Sequence, residues 1–239
     1  MLMPPPGHRV FDETAHVFAR GADEAIARDA YQRGRLFLDA VRCSLKPGQR
    51  VLDYGCGPGR IAWAVANAGF VVEGVDPSSA MVVEARSLPP TKGQLTFRVE
   101  SSNGDDLEPS SYHGIVCSSV IEFVADAEAL LSNFRRALVP GGLLAISYSN
   151  KHSLWRAYST LRYGRRLRHL EATHNIWSFG QARSALLLAG FTSISRPTFF
   201  EASPFDKRRY LRFLSRYSVV GTLGLVTARS GASVPTHQA

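Results

Sequence analysis

The stretch Val51-Leu52-Asp53-Tyr54-Gly55-Cys56-Gly57-Pro58-Gly59-Arg60 constrains this chain more than any other. It reads as a short buried strand that breaks into a glycine-rich turn and re-emerges as a helix. Gly55, Gly57 and Gly59 can take positive φ and bring bare backbone close to a bound molecule, and a helix starting near Arg60 offers N–H groups that have no helical partner. Asp53 sets a carboxylate in an apolar run, a costly burial unless a cation or a hydrogen-bond donor meets it. The same glycine spacing serves several nucleotide folds and plain strand-to-helix packing, so the next element matters. A second apolar run, Val71-Val72-Glu73-Gly74-Val75, ends in Asp76, 17 positions beyond Gly59. A carboxylate at that strand end can accept both hydroxyls of a ribose.

Helices and strands alternate from there on, which points to a parallel sheet covered on both faces. The spacing predicts a helix over Asp23–Ser44, where Tyr31 and Arg35 are candidates for ligand contact beside the simpler reading of packing or solvent exposure. Pro77 and Ser78 open a helix that contains Met81. Strands are expected at Leu95–Val99, Ile115–Cys117 and Leu143–Ser147, and a helix over Ala127–Leu138 stopped by Val139-Pro140-Gly141-Gly142. Gly190 to Ser195 and Val219 to Thr227 read as two last strands, with residues from Arg229 onward as an unstructured tail.

At 239 residues and 45% hydrophobic, the chain can bury one domain-sized core. Three cysteines are too few and too irregularly spaced for a disulfide framework or a zinc site, so no metal is expected. The N-terminus lacks the pattern of a signal peptide, and no apolar run reaches the length of a membrane helix; a cytoplasmic location is the expectation. A net charge of +8 raises nucleic acid, anionic substrates and lipid headgroups as partners, against the plainer reading of a solvated basic face.

Three motifs, Val-Leu-Asp-Tyr-Gly-Cys-Gly-Pro-Gly, Gly-Val-Asp-Pro-Ser and Leu-Val-Pro-Gly-Gly-Leu-Leu, fall in order over residues 50–150. In this the chain resembles the class I S-adenosylmethionine-dependent methyltransferases, nearest the ubiquinone-biosynthesis-type O-methyltransferase branch. The resemblance implies an α/β, Rossmann-like three-layer sandwich with a seven-stranded, mostly parallel sheet and an antiparallel edge hairpin. It also implies S-adenosyl-L-methionine as cofactor. On that reading Asp53, Gly55, Cys56, Gly57 and Gly59 surround the cofactor's amino acid end and Asp76 takes the ribose. Pro77 and Met81 line the adenine, Asn103 stands with Gly104 where relatives often carry an aspartate, and Ser118 approaches from the opposite side. One departure concerns chemistry: the branch's Glu-His pair is Glu122-Phe123 here, which leaves Glu122 with a structural role.

The acceptor side follows the fifth strand. Residues 150–179 are long for a plain connection and are expected to form a lid, with Trp155, Tyr158 and Trp177 against the acceptor; an amphipathic helix Ser153–Leu170 packing on the core accounts for the same pattern. His174 resembles by position a histidine of quinone-type O-methyltransferases and is the first candidate for a general base, with His152 second. Ser118-Ser119-Val120-Ile121 is not the run that amino-methylating nucleic-acid enzymes carry after this strand, and Cys117 reads as a buried strand residue rather than a nucleophile. The expected organisation is a flexible arm at 1–22, a single domain at 23–229 and a disordered tail at 230–239. O-methylation of a small phenolic, quinone-precursor or natural-product hydroxyl leads. N-methylation, RNA methylation and an inactive cofactor-binding scaffold remain as alternatives. Peripheral membrane contact and oligomeric state are left open.

Overall fold

The computed structural model describes residues 24–100, 103–163, 173–200 and 216–231. The expected arm at 1–22, the middle of the lid, the basic stretch before Arg216 and the tail beyond Gly231 lie outside the described residues.

The chain runs α1 (Glu24–Ser44), β1 (Arg50–Tyr54), α2 (Arg60–Asn67), β2 (Val71–Asp76), α3 (Ser79–Arg86), β3 (Leu95–Val99) and β4 (Tyr112–Cys117). A single 3-10 turn (Ile121–Phe123) leads to α4 (Ala127–Ala137), β5 (Leu138–Asn150), α5 (Leu154–Tyr163), β6 (Ile176–Trp177), α6 (Phe179–Leu188), β7 (Phe191–Thr192), β8 (Thr198–Phe200) and β9 (Leu223–Ser230). The main strand order is β3-β2-β1-β4-β5-β9-β7. The first five are parallel, and β9 runs antiparallel between β5 and β7. This is the expected mostly parallel sheet with an antiparallel edge. The described residues hold nine strands rather than seven, because two very short ones, β6 and β8, pair with β5 and β9.

Two apolar layers sandwich the sheet. One packs Phe37 and Val41 of α1 and Ile61, Ala62, Val65 and Ala66 of α2 against Val51, Val72, Val116 and Ala145. The other packs Leu130, Leu131 and Phe134 of α4 and Ala182 and Leu186 of α6 against Leu52, Ile115, Leu144 and Ile146. The hydrophobic residues alternate between these faces along each strand, as burial on both sides requires.

Among the boundaries that differ from the sequence expectation, two change how the strands pair. Between the Tyr112–Leu138 and Gly114–Leu143 pairs β4 advances two residues and β5 five, so Pro140-Gly141-Gly142 forms a bulge within the strand rather than a turn before it. At the C-terminus, Arg229 and Ser230 belong to β9 rather than to a tail. Ser230 is buried, its Oγ donating to Val139 O (2.6 Å) and accepting from Gly142 N–H (3.0 Å).

Candidate functional site

Strand order reverses around β1: the chain moves to β2 on one side and returns through β4 on the other. Such a switch point opens a crevice beyond the carboxyl ends of the strands. Register places the glycine turn there. Tyr54 lies opposite Val75 and opposite Cys117, so the turn that follows β1 emerges beside the loop that follows β4.

Asp53 explains the local fold. The N-cap of α2 is Gly59, at φ 78°, with no side chain to receive the first N–H groups of the helix. Asp53, from the preceding strand, serves instead: its Oδ2 accepts from Ala62 N–H at 2.9 Å. Its other oxygen, Oδ1, is buried with no hydrogen-bond partner. Burial pushes the carboxyl up to about 7; the Ala62 hydrogen bond opposes that shift, and the charge of Asp76 adds to it.

Asp76 ties the turn to β2. Its Oδ2 accepts from Gly57 N–H (2.8 Å) and its Oδ1 from Ser78 N–H (2.9 Å), while Ser78 caps α3 through its own side chain. Val75 O receives both Gly55 N–H and Cys56 N–H, so the β1–β2 pairing continues into the turn. The glycines differ in their surroundings. A Cβ on Gly55 (φ 69°) would collide with Val120 Cγ2 at 2.1 Å, whereas one on Gly57 (φ 52°) would meet only Met81 Sδ, at 4.0 Å. Gly57 therefore has open space on the side where its neighbours are packed.

The remaining residues expected at the cofactor follow β1, β2, β3 and β4 in turn. Pro77 is half-buried and Met81 buried, both at the start of α3. Cys56 is buried, and burial holds its thiol well above the usual range, as it does for Cys117. Neither thiol is therefore available as a thiolate nucleophile. Asn103 is exposed, and its carbonyl accepts from Asn133 Nδ2. Gly104 is buried against Leu130, Leu107 and Tyr54, closer to the core than a pocket wall would be.

The loop after β4 contributes more than Ser118. Ser119 adopts φ 54°, uncommon for a residue with a side chain, and its N–H donates to Ser147 Oγ of β5 at 2.9 Å. The hydroxyls of Ser118 and Ser119 are buried without protein partners. No sequence signal marks Ser119, since only glycine advertises positive φ. Val120 likewise matters only through its position against Gly55.

His174 is brought to the same loop. Its N–H donates to Glu122 O (2.6 Å), as does Asn175 N–H (3.2 Å), and Asn175 Nδ2 donates to Ile121 O and Val124 O. An exposed imidazole is thereby held beside the 3-10 turn that follows β4. Half-buried Arg156 of α5 senses the charge of Glu122, which partly offsets the lowering that burial imposes on the guanidinium. Glu122 itself is buried, and its backbone carbonyl anchors the segment that carries His174. His152 is exposed after β5, and only its backbone N–H is tied, to Asn150 Oδ1.

The three aromatics assigned to the acceptor do not form one wall. Trp155 and Tyr158 pair on α5, with ring centroids 5.1 Å apart. Trp177 sits on β6 and lines a separate surface groove of about 840 Å³ between the starts of α4 and α6, with Asp126, Glu128 and Gln181. A second concavity, of about 400 Å³ at the amino ends of β1 and β2, is also remote from the glycine turn. Among the described residues no cluster of three His, Cys, Asp or Glu side chains is arranged to hold a metal ion.

A family model described as a methyltransferase domain matches residues 24–195, well over half of the chain. The chain belongs to the methyltransferase-domain family. This methyltransferase domain is 37% identical over 122 residues to a ubiquinone biosynthesis O-methyltransferase of Xanthomonas campestris, covering 49% of each chain. It is 31% identical over 134 residues to the protein of that name from a Bradyrhizobium species, covering 55% of this chain and 52% of that one. The chain thus matches about half the length of these curated relatives. Among solved structures, a magnesium protoporphyrin IX methyltransferase from Synechocystis with SAH bound superposes with a TM-score of 0.63. That match is 22% identical and covers 85% of this chain and 84% of that one, a likeness of fold.

Proposed function

We propose that this methyltransferase domain binds S-adenosylmethionine in the crevice above β1 and transfers its methyl group to an oxygen of a small-molecule acceptor. Asp53 Oδ1 carries the reading. A buried carboxylate oxygen without a protein partner, next to an open glycine turn, is the complement of a ligand ammonium group.

Asp53 would hold the amino group of the cofactor's methionine end, with the backbone of Gly55, Cys56, Gly57 and Gly59 around it. Asp76, tied to the N–H groups of Gly57 and Ser78 at the end of β2, would take the ribose hydroxyls. Pro77, Met81, Asn103 and Gly104 would border the adenine, and Ser118 the opposite side. When bound, S-adenosylmethionine supplies a methyl group on a positively charged sulfur, an electrophile already activated. What remains for the chain is alignment of the acceptor and removal of its hydroxyl proton. His174, held beside the loop after β4, is the residue proposed for the proton, and α5 and β6 supply the aromatics proposed for the acceptor. The kinship with ubiquinone biosynthesis O-methyltransferases favours an oxygen on a phenol or quinone precursor.

Thermal melting with and without S-adenosylmethionine and its demethylated product tests the first half. Ligand at ~100 times its dissociation constant adds ~2.7 kcal/mol, several degrees in a domain of this size. No shift at millimolar ligand removes the cofactor assignment, and Asp76→Asn is expected to weaken any shift. A mass scan of products from phenols, quinone precursors, amines and RNA tests the second half. Methylated amines or RNA would replace the O-methylation reading, and binding without any product would leave a cofactor-binding scaffold. With an acceptor in hand, His174→Ala is expected to lower kcat about 10²-fold or more, the usual scale of general-base catalysis. Unchanged turnover eliminates it as the base.

A further inference from the structure

α4 does more than pack the core. Leu130, Leu131 and Phe134 point inward, while Asn133 and Arg136, three residues apart and so neighbours on the helix surface, reach the loop that follows β3. Asn133 Nδ2 donates to Asn103 O (3.0 Å) and to Asp105 Oδ1 (2.8 Å). The Arg136 guanidinium donates to Asp105 O (2.9 Å) and to Asn133 Oδ1 (3.4 Å), a pattern that sets which way the Asn133 amide points. Further along, Ser110 N–H and Ser111 N–H donate to the carbonyls of Arg136 and Ala137. The loop is thus laid along α4 from Asn103 to Ser111.

The start of this loop borders the crevice. Glu100 N–H donates to Asp76 O (3.2 Å), so the chain leaves β3 beside the strand end that carries Asp76. Gly104, at φ 68°, is turned into the core, where a Cβ would meet Leu130, Leu107 and Tyr54 at 3.2 to 3.6 Å. Asn103, next to it, is exposed. With its carbonyl gripped by Asn133, the peptide that joins Asn103 to Gly104 is held, and so is the direction in which the Asn103 side chain leaves the backbone.

We propose that Asn133 is a positioning residue for the cofactor's adenine. It touches no ligand itself; it sets where Asn103 stands, so that the Asn103 side-chain oxygen accepts from the adenine amino group. This rests on the proposed S-adenosylmethionine site. Two features separate Asn133 from a general brace of the loop. Its amide bonds to the residues on both sides of Gly104 and closes the turn across the glycine. Asp105 also keeps a second tie, through Arg136, so removal of the Asn133 side chain releases Asn103 in particular.

Calorimetric titration of the full chain with S-adenosylhomocysteine, and with its purine analogue lacking the adenine amino group, tests the proposal. The wild type is expected to bind S-adenosylhomocysteine about fivefold more tightly than the analogue, the scale of one hydrogen bond. In Asn133→Ala that preference is expected to fall below about twofold, through weaker binding of S-adenosylhomocysteine and little change for the analogue. Arg136→Ala, which leaves the Asn133–Asn103 bond in place, is expected to keep the wild-type preference. A preference is a ratio measured on folded protein, so a lower melting temperature of either variant does not alter its reading, and a purely structural loss would weaken both ligands alike. A wild type that binds neither ligand removes the cofactor site and this role with it. Wild-type binding with no preference, a preference that survives in Asn133→Ala, or an equal loss in Arg136→Ala overturns the role of Asn133 and leaves the cofactor site standing.

Discussion

With Oδ2 of Asp53 committed to the Ala62 N–H and Oδ1 buried without a partner, ionising this carboxyl is costly in the folded protein and free in the unfolded one. A carboxyl raised to about 7 from its usual 3.8 holds a proton in the folded state that the unfolded chain has lost between about pH 4 and 7. Stability therefore falls as pH rises through that window and levels off above it. Asp53→Asn keeps an acceptor for Ala62 N–H and removes the charge. At pH 8 the ligand-free variant is expected to be more stable than the wild type by roughly 1–3 kcal/mol, and at pH 4 the two should coincide. The same substitution should weaken S-adenosylmethionine binding at least about tenfold, since a charge pair is lost. In the wild type, affinity should rise toward pH 7 and then flatten, a pH dependence that Asp53→Asn lacks. Melting and calorimetric titration at several pH values read both; a variant that is less stable at pH 8 would refute the assignment. The sequence marked Asp53 as an expensive charge, but its division between a helix cap and an open oxygen depends on Gly59 providing no cap, which only the fold reveals.

At the scale of the turn, two glycines that look equivalent in sequence separate into different tasks. Gly55→Ala would place a methyl into Val120 at positive φ, so it should lower the melting temperature through both strain and overpacking, at a cost of about 2–5 kcal/mol. Gly57→Ala meets nothing closer than Met81 Sδ and should cost only about 1–2 kcal/mol of backbone strain, yet it should weaken cofactor binding by filling the open side of the turn. Equal melting temperatures for the two variants would show that the Val120 contact does not matter. Elements with a clear period, such as α1, β3 and α4, were legible to within a residue or so because local patterning and tertiary packing agree there. β6 and β8 were not, being two and three residues whose only reason to be extended is a partner strand. Nor was the bulge in β5: Pro140-Gly141-Gly142 carries turn chemistry, and the pairing of Leu138 with Tyr112 overrides it. In the site, the acidic residues and glycines announced themselves by type. Ser119 and Asn175 did not, because their roles rest on a backbone conformation and on carbonyls distant in sequence.

For the whole molecule, the match to the methyltransferase domain ends at residue 195, whereas the sheet does not. β9, from residue 223 onward, lies between β5 and β7, pairs with β5 at seven positions from Leu143–Arg229 to Ser149–Leu223, and is the sole link to β7 in the main strand order. It buries Leu223, Leu225 and Val226, one or more against each face of the sheet. Burial of three such side chains contributes on the order of 5–9 kcal/mol, comparable with the roughly 5–15 kcal/mol that stabilises a whole domain. Without β9, the buried strand β5 would become an exposed edge, with unpaired backbone groups open to aggregation. A chain truncated after Ser195, although it retains the glycine turn, Asp76 and His174, should therefore show no cooperative melting transition and no binding of S-adenosylmethionine. A cooperative melt of that fragment near the full-length temperature would mean that β9 is an accessory to the sheet rather than part of what holds β5, and with it the loop carrying Ser119, in place.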